Sequence, residues 1–193
     1  QFVMRFDQKN KAKLMPFYPQ MIDSSDTKFE KEKNTFLYVS NAQDNKNHIR
    51  LIDAFCSFYD QYQQGKLIVT VNSHFEHIVQ MIQQKVKQNY PIENIGFVNR
   101  EKLATYYETS EFVIFPSLSE SLGLGLIEGI EFDCKIIGAD LPYTFAVCEP
   151  SIVFNPTSEI SIQNAFSKCI NEPIKKSKLK TSNKIKELIA ELS

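Results

Sequence analysis

Six short, mostly apolar runs recur along this chain, and between them the apolar period changes to that of a helix. The runs are residues 35–39, 67–71, 95–98, 112–115, 134–138 and 151–154. A strand with one wet face alternates apolar and polar residues, whereas a strand covered on both faces is apolar throughout. Between the runs, apolar residues return at helical spacing. After His48 come Ile49, Ile52, Phe55, Cys56 and Tyr59. Ser73 is placed to cap a helix carrying Ile78, Met81, Ile82 and Val86. Further helices are expected around Leu103, Tyr106 and Tyr107, over 122–132, and from Ser158 and Glu159 through Ile162, Phe166 and Cys169. A charged helix over 175–193 would carry Ile185, Leu188, Ile189 and Leu192 on one face. Buried strands alternating with helices define an α/β fold with a doubly wound, Rossmann-like parallel sheet. In such sheets ligands sit beyond the carboxyl ends of strands. That directs attention to residues 40–48, 72–74, 98–100, 116–124 and 138–142.

The chain has 193 residues, enough for one domain with a substantial core. Its expected layout is a lead-in segment and interdomain linker over 1–34, a ligand-binding domain over 35–174 and a terminal helix over 175–193. Residues 15–19 (Met-Pro-Phe-Tyr-Pro) should be stiff and extended, and 24–34 polar and loop-like. The chain begins at Gln1, which suggests a portion of a longer protein. The net charge of -1 gives no global field to hold nucleic acid or an acidic membrane. No apolar run approaches the roughly 18 residues of a spanning helix. Cys56, Cys134, Cys148 and Cys169 lack metal spacing and fit reduced thiols in a cytoplasmic setting.

The segment from Phe115 to Glu128 carries the chemistry. It leaves a strand at Pro116-Ser117, turns through Leu118 to Ser121, and runs into a helix past Gly123 and Gly125. Glycines admit a ligand close to the backbone. The first amides of a helix are unpaired, and its dipole favours an anion there. Two glutamates, Glu120 and Glu128, bracket this anion-friendly turn. Carboxylates repel phosphate but accept hydrogen bonds from hydroxyls, so the pair calls for a ligand with both groups.

Glu120, seven residues, then Glu128, following a strand that ends in Pro-Ser, resembles the signature of glycosyltransferase family 4. So does the order of Glu120-Ser121-Leu122-Gly123-Leu124-Gly125, Ile127-Glu128-Gly129, the strand Lys135-Ile136-Ile137 and Asp140-Leu141-Pro142. Upstream, Ser40 leads to Asn45-Lys46-Asn47-His48 and Leu51-Ile52-Asp53-Ala54-Phe55. This is similar to a Lys-Asn-His variant common in bacterial polysaccharide biosynthesis. The likeness extends over roughly residues 14–170 and includes Asn94-Ile95-Gly96-Phe97-Val98. It implies the C-terminal, donor-binding half of a two-domain GT-B enzyme. Such an enzyme would transfer a sugar from a nucleoside diphosphate sugar to a saccharide or lipid-linked acceptor, retaining anomeric configuration. The acceptor groups would lie on an N-terminal domain, and this half alone would bind without transferring.

By that resemblance Glu120 holds donor-sugar hydroxyls and Lys46 neutralises the departing diphosphate. Glu128 holds the ribose, Ser121, Leu122, Gly123 and Leu124 line the phosphates, and backbone at Phe97 and Val98 pairs with the base. No cofactor or metal is implied beyond the donor itself. Peripheral contact with the inner face of a membrane is the sharper meaning of the basic run 175–180, a solvated face the blander one. The sequence departs from the family at Ser40 and Asn41, where an Arg usually precedes the phosphate lysine. Arg100 or another domain would then supply that charge. Gly125 also stands near where the family has Pro.

Each residue has a plainer meaning too. Glu120 alone could be a cap, Lys46 a surface lysine, His48 a helix-starting residue, and His74 with His77 a surface pair lacking further metal ligands. A non-catalytic nucleotide-sugar-binding or scaffold domain is the principal rival. A non-hydrolysing epimerase fits the glutamate spacing poorly. A dehydrogenase is disfavoured, since no G-x-G-x-x-G follows the first strand and Glu128 stands where the third glycine would be.

Overall fold

The computed structural model describes residues 2–6, 12–16 and 29–192. A parallel sheet of six strands forms its centre, in the order β5-β4-β3-β6-β7-β9. The strands are β3 (Glu32–Tyr38), β4 (Lys66–Val69), β5 (Ile92–Asn94), β6 (Ser110–Phe115), β7 (Lys135–Ala139) and β9 (Ile152–Phe154). Two small antiparallel pairs stand apart: β1 (Phe2–Phe6) with β2 (Ala12–Pro16), and β8 (Cys148–Glu149) with β10 (Lys178–Leu179). The helices are α1 (His48–Tyr62), α2 (Glu76–Lys87), α3 (Arg100–Thr109), α4 (Leu124–Glu131), α5 (Pro142–Val147), α6 (Glu159–Asn171) and α7 (Ile185–Leu192). The doubly wound expectation therefore holds.

Side chains from successive strand residues point to opposite faces, and both faces are filled. Phe36 of β3 stacks on Phe112 of β6 at 5.1 Å and meets Phe166 of α6 edge-on at 4.8 Å. Phe58 of α1 closes the same cluster. On the other face, Gly129 lets α4 approach Val113 of β6 and Ile136 of β7: a Cβ there would lie 2.9 and 2.8 Å from their side chains. The chain winds outward from β3 through β4 to β5, then returns to β6 on the other side of β3. The switch in direction falls between β3 and β6, where a ligand crevice is expected.

Several expected boundaries are corrected. Residues 95–98 are not a strand; β5 is Ile92–Asn94, and Gly96 turns the chain away at φ 64°. Asn94 replaces the missing ladder, its Oδ1 accepting from the amides of Val71 and Gly96. Ser73 caps nothing: α2 begins three residues later, after Phe75, with no side-chain cap. The 122–132 helix shortens to α4, because Leu122 turns into the core and Gly123 takes a left-handed φ of 74°. Ile49 of α1 is exposed; Leu51 and Phe58 join the buried stripe instead. The 175–193 helix shrinks to α7, since Lys178–Leu179 pair with β8 and the Ser177 hydroxyl accepts from the Ile136 amide. Ser158 does cap α6, accepting from the Ser161 amide. Residues 17–19 and 24–28 of the expected linker lie outside the described residues.

Candidate functional site

The loops leaving β3 and β6 meet over the switch point. Their backbones are stitched directly: the Leu118 amide donates to the Asn45 carbonyl at 2.7 Å, and Asn45 Nδ2 to the Ser119 carbonyl at 3.1 Å. Beneath them the Tyr38 hydroxyl, at the end of β3, donates to the Lys46 carbonyl at 2.9 Å and lies 3.0 Å from Ser117 Oγ. Tyr143 donates to the Ser117 carbonyl from α5. Asn47 sits in left-handed backbone before α1, and its Nδ2 donates to the carbonyls of Pro116 and Pro156. These contacts fix where Lys46 and Glu120 can point.

They point at each other. Lys46 Nζ donates to Glu120 Oε1 at 2.6 Å, and their side chains are 17% and 10% exposed. The two residues expected to act on the diphosphate and the sugar thus share one spot at the carboxyl ends of adjacent strands. Ser121 is exposed beside them, and Leu122, Gly123 and Leu124 carry the chain into α4. The amides that open α4 face this loop end, as free helix-start donors do.

Glu128 sits one turn further into α4 and is 6% exposed. Its Oε2 accepts from the Tyr107 hydroxyl at 2.7 Å, and that tyrosine is fully buried. Burial pushes the Glu128 carboxyl above its ordinary range, while the Tyr107 bond and the charge of Arg100 pull it back down. Phe97, just upstream, is 84% exposed at a bend, with Val98 beside it half-buried.

Ser40 and Asn41 bring no cation to the site. The Ser40 amide and carbonyl both bond to Thr70 Oγ1 at the end of β4, and Ser40 Oγ donates to the Asn41 carbonyl. His48 is 3% exposed, its ring 4.8 Å from that of Tyr38. Burial, reinforced by the charge of Lys46, lowers its pKa to about 4. That agrees with the structural meaning of His48. A cavity of about 810 Å³ opens between the β3 loop and the starts of α1 and α2, lined among others by Gln43, Asp44, Asn47, Arg50, His77 and Leu118. It flanks the Lys46–Glu120 pair and does not contain it. Among the described residues no group of three or more His, Cys, Asp or Glu side chains is arranged to hold a metal.

Sequence reasoning missed Tyr107, Tyr38 and the clamping role of Asn47. Tyr107 was visible only as a helical apolar residue, and nothing local links it to Glu128.

A doubly wound parallel sheet, with an acidic and a basic side chain paired at its switch point and a glycine-opened helix beyond, makes this a Rossmann-like domain. The chain belongs to the family described as glycosyl transferases group 1, whose model matches residues 20–187. It is 27% identical over 123 residues to the capsular polysaccharide biosynthesis glycosyltransferase CapH of Staphylococcus aureus, covering 62% of this chain and 34% of that protein. It is 24% identical over 131 residues to the alpha-monoglucosyldiacylglycerol synthase of Acholeplasma laidlawii, covering 64% and 33% respectively. The chain therefore spans about a third of the length of these curated relatives. Its fold also matches a UDP-forming alpha,alpha-trehalose-phosphate synthase from Burkholderia vietnamiensis, with a TM-score of 0.63 at 10% identity over 74% of this chain and 38% of that one. Among the described residues no helix is long and apolar enough to cross a membrane.

Proposed function

We propose that this domain binds the donor of a retaining glycosyltransferase, a nucleoside diphosphate sugar, with the acceptor held by a part of the protein beyond this chain. The observation that carries the reading is the Lys46–Glu120 pair beside the start of α4. Lys46 and the helix-start amides suit a diphosphate, Glu120 suits sugar hydroxyls, and Glu128 suits the ribose. In the reaction the bond from the anomeric carbon to the phosphate oxygen breaks, and the diphosphate leaves with the electron pair. Lys46 and the α4 amides stabilise the charge that grows on it. The acceptor hydroxyl attacks from the same face and gives its proton to the departing phosphate oxygen. The similar proteins, named for capsular polysaccharide and for a glucosyl diacylglycerol, favour a saccharide or lipid-linked acceptor. A peripheral position at a membrane would follow from the latter. The chain alone should bind donor and not transfer it.

The test is a thermal-shift screen against UDP-, GDP- and ADP-sugars, followed by calorimetry. A ligand that binds only the folded state, present at a hundred times its Kd, stabilises by about 2.7 kcal/mol. One of the three series should raise the midpoint. Lys46→Ala should weaken nucleoside diphosphate binding by roughly tenfold to a hundredfold while leaving nucleoside binding little changed, since a bond to a charged group contributes about 1.5–3 kcal/mol. Glu120→Ala should mainly reduce the preference for the nucleotide sugar over the bare diphosphate. No response to any series, or unaltered binding in both variants, overturns the reading. Sugar transfer by a longer form of the protein separates an enzyme from a non-catalytic binding domain.

A further inference from the structure

The side chain that governs Glu128 lies on a different helix. Tyr107 sits near the end of α3, fully buried, with its ring stacked on Phe132 at 5.5 Å and 10°. Its carbonyl accepts from Lys31 Nζ at 2.8 Å, and the same ammonium donates to the Phe132 carbonyl at 2.7 Å. One lysine thereby cinches the end of α3 to the end of α4. Cys134 adds a thiol contact to the Tyr107 carbonyl at 3.1 Å. The phenol has nowhere else to go, and its hydroxyl is spent on Glu128 Oε2 at 2.7 Å.

A glutamate's terminal torsion is broad and roughly two-fold when nothing holds it. Here Oε2 accepts from Tyr107, which favours the torsions that keep it there and leaves Oε1 as the acceptor for a ligand. We propose that Tyr107 is a positioning residue for the nucleotide's ribose: by claiming one oxygen of Glu128 it aims the other at the ribose hydroxyls and so selects ribonucleotides over deoxyribonucleotides. This rests on the reading of Glu128 as the ribose-binding group. If Tyr107 served packing alone, its loss would weaken every nucleotide alike. If it aims Glu128, its loss erases discrimination at the sugar edge.

The experiment measures, on the full 193-residue chain, the affinity for UDP and for its 2′-deoxy and 3′-deoxy forms, with GDP or ADP used instead if the screen selects that base. The unaltered chain should prefer the ribonucleotide over at least one deoxy form by about tenfold, the scale of one hydrogen bond to a charged acceptor. Tyr107→Phe should reduce that preference to about threefold or less. A preference that survives Tyr107→Phe overturns the proposal. An unaltered chain without any preference, or a preference that survives Glu128→Ala, instead removes the ribose role of Glu128 itself. Should Tyr107→Phe fail to fold, Phe132→Leu removes the ring stacked on Tyr107 while leaving its hydroxyl and Glu128 in place. A preference cut to about threefold or less then supports the aiming role, and an unchanged preference overturns it.

Discussion

His48 shows what burial does to a single titratable side chain. Neither ring nitrogen has a hydrogen-bond partner, and its pKa falls from 6.5 to about 4. The unfolded chain therefore takes up the proton first as pH drops. Stability contributed by the neutral imidazole is fully present above pH 6.5 and is lost as pH falls through about 4. At about 1.4 kcal/mol per unit this amounts to roughly 3 kcal/mol. In denaturant titrations, His48→Phe should flatten the acid limb between these values relative to the unaltered chain. Parallel curves would show that the ring is not dry. The same residue marks how far local sequence carries at this scale. As candidates, Glu120 was legible from its place after a strand end and Lys46 from the family resemblance, although they are 74 positions apart. Tyr107 and Asn47 were not, because their work depends on partners 21 and 109 positions away, which no local period encodes.

At the level of the element, α4 is held at its working distance by the absence of a side chain. Alanine is worth about 1 kcal/mol more than glycine inside a helix, so Gly129→Ala would ordinarily stabilise. Here its Cβ would lie 2.8 Å from Ile136 Cδ1 and 2.9 Å from Val113 Cγ2. The β-branched valine has little freedom to give way, and overpacking costs roughly 1–3 kcal/mol. The net effect should be a lower melting midpoint, by about 2–4 °C for each kcal/mol lost, and weaker nucleotide binding as α4 lifts from the sheet. An unchanged or higher midpoint would mean that the sheet yields. The elements misjudged from sequence failed for similar reasons of context. Residues 95–98 have strand-like side chains, but Asn94 ends the ladder with its own amide. Residues 175–184 have helical composition, yet Ser177 and Lys178 bond across to Ile136 and Glu149. The inner parts of β3 and β6 were legible because residues 35–38 and 112–115 are buried and almost wholly apolar, whereas the polar openings at 32–34 and 110–111 were not.

Across the whole molecule, the four cysteines report on its solidity. All are buried, and burial pushes Cys56, Cys134 and Cys148 up to about 11, with Cys169 raised further. A thiolate-directed reagent should find no fast site in the native protein and four in denaturant, and a reductant should leave the melting midpoint unmoved. One rapidly labelled thiol in the native state would reveal a local opening. The winding of the sheet has a consequence for selectivity as well. It joins Lys46 and Glu120, so each side chain is the other's counter-ion. A stray phosphate that recruits the ammonium strands the carboxylate, and a free sugar that satisfies the carboxylate leaves the ammonium behind. If the pair is the donor site proposed above, only a ligand with anion and hydroxyls on one frame replaces both halves of the bond at once, which disfavours simpler phosphates.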